Sequence, residues 1–226
     1  MSFASSFFGH SGRFIYLLGS LLGLLIAGAF VEHIRLGQVV FNILLSVVLL
    51  SSIYAISHDK RFVVAGSIIA AAMFFVSWIA QLFASAPLGL LASLLGFLYF
   101  QSTAAVILIH IFKSPSISID ELLAAVSTYL LLGIAGGFIF RLLEFLDPNT
   151  LLATNDVVPE MSTGTPMNLY IYYSFTCMTT LGFGDIVPGT PEARVFSYLS
   201  AVVGQIFLTV LIARFVGLHI SQVRRG

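Results

Sequence analysis

Seven consecutive residues, Thr179-Thr180-Leu181-Gly182-Phe183-Gly184-Asp185, have types and a spacing suited to holding a dehydrated cation with oxygen. Glycine alternates there with a bulky apolar residue, a threonine pair precedes them and an acid follows. Glycine takes backbone angles that other residues resist. Gly182 and Gly184 thereby allow consecutive carbonyls to turn the same way, which neither a helix nor a strand permits. Aimed at one axis, the carbonyls of Thr180, Leu181, Gly182 and Phe183, with the Thr180 hydroxyl, would form rings of oxygen that replace a cation's water shell. No catalytic constellation or metal-ligand spacing is visible elsewhere, so no enzyme chemistry is expected. The single cysteine, Cys177, excludes an internal disulfide framework and a cysteine-rich metal site, and packing is its expected role.

The elements around this loop are those of a membrane protein. Of 226 residues, 58% are hydrophobic and 9% charged, whereas a soluble domain is nearer one quarter charged. Net charge is zero and no basic cluster exceeds the terminal Arg224-Arg225, which gives nucleic-acid binding no support. A span needs roughly 20 apolar residues. Six runs meet or approach that length, at 14–31, 38–56, 62–83, 88–112, 122–146 and 193–218. Ala27-Gly28-Ala29 also resembles a signal-peptidase site, but the first run is long for a signal and is taken as a span. The expected fold class is an all-α membrane protein, with a four-helix unit at 1–112 and a second unit at 113–226.

Between the fifth and sixth runs, Thr165-Pro166 predicts a helix start, with threonine as N-cap and proline in the first turn. That helix runs to about Met178, too short to span, and would re-enter the membrane with its C-terminal dipole toward the cation path. Thr190-Pro191-Glu192 caps the last span by the same logic, and Ser118-Ile119-Asp120-Glu121 predicts a capping box for the fifth. Along the last span Leu208, Ile212 and Val216 recur every four residues on one face. That stripe either lines an inner vestibule, where apolar rings close the path by dewetting, or packs in the core. Arg141 and Glu144 share a face of the fifth span and predict an ion pair, with a brace from Glu144 to the loop after the glycines as the alternative.

The frame Thr-Thr-Leu-Gly-Phe-Gly-Asp, placed after an aromatic-rich helix and between two spans, closely resembles the pore loop of the potassium-channel family. Leu181 and Phe183 stand where valine and tyrosine are commoner in that family. The resemblance implies K+ at Thr180, Leu181, Gly182 and Phe183, with Gly184 completing the selectivity filter and Thr179, Thr176, Tyr173 and Asp185 supporting it. The family's aromatic matching Tyr173 holds the acid matching Asp185, and Thr176 stands where the family often has a glutamate. Gly204, twenty residues after Gly184, matches a gating hinge, with close packing on the pore helix as the competing reason for glycine. One pore loop per chain implies a homotetramer in membrane lipid, with no cofactor beyond the permeant ion.

The expected function is therefore passive, potassium-selective conduction across the cell membrane. A weakly selective cation channel and a non-conducting assembly subunit are the alternatives. Basic residues favour cytoplasmic loops. With both termini cytoplasmic, Arg13, Lys60, Arg61, Lys113, Arg224 and Arg225 lie inside, Arg35 and Arg194 outside, and Arg141 near the outer end of its span. The fourth span offers only His110 near its end, so no intrinsic voltage sensor is expected. Gln81 and Gln101 are expected to bond between helices, and Asp156 and Glu160 to sit near the outer mouth.

Overall fold

The computed structural model describes residues 12–31, 37–56, 60–83, 85–114, 118–154, 161–162 and 164–223. In lipid a chain must satisfy its own backbone polar groups, which favours helix. The described residues form α1 (Arg13–Val31), α2 (Gly37–Ile56), α3 (Lys60–Phe83), α4 (Ala86–Lys113), α5 (Ile119–Leu146), α6 (Met167–Met178) and α7 (Pro191–Val223). Each of the six apolar runs is helical. Gly37–Ala55, Val63–Phe83, Ala86–Lys113, Ile119–Leu146 and Pro191–Ile220 are long and apolar enough to cross a membrane, while the apolar part of α1, Arg13–Gly28, is shorter. The expected positions of Arg35, Asp156, Glu160, Arg224 and Arg225 lie outside the described residues.

The helix ends follow local chemistry. Ser118 Oγ accepts from the Asp120 amide at 3.1 Å and Glu121 Oε2 accepts from the Ser118 amide at 2.8 Å, which completes the predicted capping box. Thr190 Oγ1 accepts from the Ala193 amide at 3.3 Å and opens α7. The start of α6 differs from expectation. The helix begins at Met167, with Pro166 at the N-cap and no side-chain cap. Thr165 Oγ1 instead accepts from the Ser162 amide at 2.8 Å and closes the turn before it.

The all-α expectation also needs one correction. Strands β1 (Leu151–Ala153) and β2 (Ile186–Pro188) pair antiparallel, with Leu151 opposite Pro188 and Ala153 opposite Ile186. Three residues are too few for an alternating pattern to show in sequence.

Helix α5 is the central wall. Phe138 and Phe145 of α5 fit under Gly96 and Gly89 of α4 so closely that a Cβ at either glycine would collide with the ring. Leu17, Leu21 and Leu24 of α1 are buried in the same core as Tyr99, Phe100, Leu131 and Ile134. Polar ties cross it. The Tyr99 hydroxyl meets Ser52 Oγ at 2.5 Å, and Asn42 Nδ2 donates to Gln81 Oε1 at 2.5 Å. The expected bond to Gln81 is thus present, whereas Gln101 is exposed and unpartnered within the described chain. A second, smaller core of Phe140, Leu151, Tyr170, Tyr173, Ile186 and Ala193 joins α5, α6, α7 and the sheet.

Candidate functional site

The site begins where α6 stops. The last carbonyls of a helix lack intrahelical donors, and the four amides of residues 179–182 turn back to supply them at the end of α6. Thr179 N donates to Phe175 O at 2.9 Å and Thr180 N to Cys177 O at 2.9 Å. Leu181 N and Gly182 N both donate to Thr176 O, at 2.9 and 3.2 Å. Thr176 therefore supports the loop through its carbonyl. Its hydroxyl is spent within the helix, donating to Tyr173 O at 2.8 Å.

Beyond this anchor the backbone alternates. Thr180, Gly182 and Gly184 have φ of 59°, 56° and 78°, while Leu181 and Phe183 stay negative. The left-handed region is open to glycine but unusual for a β-branched threonine. Along the same stretch the carbonyls of Thr180, Leu181, Gly182 and Phe183 accept no hydrogen bond from the described residues. Leu181 and Phe183 are 58% and 64% exposed, so the chain's own side chains leave this loop bare. The Thr180 hydroxyl donates to Thr179 O at 2.6 Å and accepts from Gln205 Nε2 of α7 at 3.5 Å.

The far end of the loop is fastened at Asp185. Its Oδ2 accepts from the Tyr172 hydroxyl at 2.6 Å, and its Oδ1 from the Ile186 amide at 3.0 Å. The Tyr172 ring lies parallel to Phe183, 6.3 Å between centroids. Tyr173, expected to hold Asp185, does not. Its hydroxyl meets Ser197 Oγ of α7 at 2.7 Å and its ring packs edge-on to Phe140 at 4.8 Å. Successive residues on a helix point about 100° apart, so only one of the two tyrosines faces the loop. Tyr172 lies four residues before Thr176, on the face of α6 that carries the loop.

Thr154, just past β1, adds a second tie. Its Oγ1 donates to Gly184 O at 2.6 Å and its amide to Asp185 O at 2.9 Å. The sheet is itself tied to α5, because the fully buried Glu144 accepts from the Leu151 amide at 3.3 Å. Neither the predicted Arg141–Glu144 pair nor a direct brace to the loop after the glycines is formed: Glu144 holds β1, which precedes the glycines, and reaches the strand after them only through the β1–β2 pairing. Arg141 instead lies over the Phe145 ring, 5.7 Å from its centroid.

Helix α7 divides its faces sharply. Gly204, Phe207 and Leu211 are buried toward the rest of the chain, while Leu208, Ile212 and Val216 are 41%, 61% and 52% exposed. Core packing within the chain is thus supplied by the other stripe. A Cβ on Gly204 would strike the Met178 carbonyl at the end of α6. That close approach accounts for the glycine, and α7 runs through it as continuous helix. Arg214, to which the sequence lent no role, places Nη2 on three carbonyls at the end of α4: Ile111 at 3.0 Å, Phe112 at 2.7 Å and Ser114 at 2.9 Å.

Residues 127–219 match the family model described as an ion channel. The matched stretch runs from α5 through α6 and the bare loop to the end of α7. No curated protein and no solved structure matches the chain. Five apolar helices of membrane length and this match define the class: a membrane protein whose second half is similar to an ion channel.

Proposed function

We propose that the chain is the subunit of a potassium-selective channel, four copies of which surround one conduction axis. The observation that carries this reading is the run of four unpaired carbonyls from Thr180 to Phe183 on a backbone alternating at Thr180, Gly182 and Gly184. Buried or membrane-embedded carbonyls need partners, and a permeant cation shared by four loops supplies them. K+ occupies the rings formed by Thr180, Leu181, Gly182 and Phe183, and Gly184 completes the filter. Thr179 and Thr176 hold it from below, Tyr172 and Asp185 from above. The exposed Leu208, Ile212 and Val216 line the inner vestibule and close it by dewetting. Both termini are cytoplasmic, and α1 spans together with the five longer apolar helices, which makes six spans in all.

The test is conduction by purified protein in planar bilayers with potassium on one side and sodium on the other. A reversal potential displaced by at least about 60 mV toward the potassium equilibrium value, a tenfold preference for a monovalent ion, is the expected result. A reversal near zero would replace this reading with a weakly selective cation channel. Absence of flux from protein of native mass and helicity would replace it with a non-conducting assembly subunit.

A further inference from the structure

A cavity of about 570 Å³ lies where the ends of α1 to α4 meet α5 and the approach to α6. Its wall has two characters. Asn42, Gln81 and Asn168 contribute amides, and Phe41, Met73 and Phe138 contribute hydrocarbon. Arg141 lines the same space, and its guanidinium makes no hydrogen bond among the described residues. Nε is buried without a hydrogen-bond partner among the described residues, and the guanidinium lies over the Phe145 ring. Glu144, one turn on, is turned away to the Leu151 amide. Among the described residues, no aspartate or glutamate lines the cavity.

A cation inside an apolar helix bundle is expensive unless an anion meets it. A guanidinium is a planar fork that matches phosphate oxygens two at a time. Asn42 donates to Gln81 Oε1, which leaves the Gln81 amide nitrogen as a spare donor on the wall of the cavity that Arg141 also lines. The hydrocarbon side of the wall has no use for a small hydrated ion but suits an acyl chain.

We propose that this cavity binds the phosphate group of an anionic amphiphile. Arg141 takes the phosphate oxygens, Gln81 adds a donor, and the chain of the ligand lies along Phe41, Met73 and Phe138. An anionic phospholipid and free inorganic phosphate share the head-group chemistry, and the mixed wall favours the lipid. The site is independent of whether the channel conducts.

The experiment is native mass spectrometry of the full-length protein offered equal dioleoyl phosphatidylglycerol and dioleoyl phosphatidylcholine. The expected result is a roughly tenfold preference for phosphatidylglycerol. It falls to near unity in Arg141→Gln, and also in Ser77→Phe, which narrows the cavity without touching the charge. It survives in Arg194→Gln, an exposed arginine of α7. A parallel arm titrates inorganic phosphate and follows the single tryptophan, Trp78, next to the cavity-lining Ser77. A phosphate response lost in Arg141→Gln, with no lipid preference, assigns the site to the free anion. Equal retention of both lipids with no phosphate response overturns the proposal. So does a preference that survives Ser77→Phe, or one lost equally in Arg194→Gln. Ser77→Phe decides alone if Arg141→Gln does not fold.

Discussion

Thr180 is a β-branched residue held at φ 59°, a conformation that costs about 1–3 kcal/mol and persists only where its surroundings over-determine it. Here the surroundings are two amides on the Thr176 carbonyl at one end and the Tyr172–Asp185 bond at the other. Bonds to charged groups contribute about 1.5–3 kcal/mol. Tyr172→Phe is therefore expected to speed the decay of potassium current in reconstituted protein by roughly tenfold. Tyr173→Phe keeps its packing against Phe140, loses the hydroxyl's bonds to Ser197 and Cys177 but none to Asp185, and is expected to leave the decay near wild type. Equal acceleration in both would show that ring packing, not the bond to Asp185, holds the loop. The loop itself was legible in sequence because glycine spacing reports backbone geometry directly. The choice between adjacent tyrosines was not, because it depends on the rotation of α6 about its own axis.

At the scale of elements, the end of α4 and the inner half of α7 are joined by one side chain. The last carbonyls of a helix lack intrahelical donors, and Arg214 supplies donors to Ile111, Phe112 and Ser114 while stacking 5.0 Å over Phe112. Arg214→Gln is expected to destabilise this junction by about 2 kcal/mol, given that Arg214 is only half-buried. The measurement is the rate of trypsin cleavage after the exposed Lys113, which should rise several-fold. An unchanged rate would mean that the ends stay together without it. Helix periodicity foretold every long helix, since apolar runs in lipid have few other options. It missed Arg214, because a lone charge in an apolar pattern registers only as an interruption. It missed β1 and β2 too, because their pairing is set by where α5 and the loop deliver them.

For the whole molecule, α7 buries one narrow stripe and leaves Tyr198, Leu199, Val202, Ile206 and Ile212 uncovered. Scattered apolar exposure is ordinary in a lipid-facing helix, but lipid has no reason to cover a row of unpaired carbonyls. In the proposed assembly, neighbouring copies cover part of α7 and the loops face one another. Native mass in detergent is expected at four times the 24.5 kDa chain. Ile212→Asp is expected to preserve that mass and raise flux through the closed channel, because an acidic ring wets the constriction. If leak is unchanged, closure lies elsewhere on α7. Assembly was legible only as the need for several loops round an axis, since the faces that meet are apolar like those that meet lipid.

The fit of Phe138 and Phe145 beneath the α4 glycines also bears on how a copy is made. The two helices are joined by a short connection, so their docking has low contact order and needs no second molecule. A chain emerging during synthesis can seat α4 on α5 before α7 is finished. Encounter between copies then joins bundles that are already packed, and only that later step should quicken as more protein accumulates in the membrane.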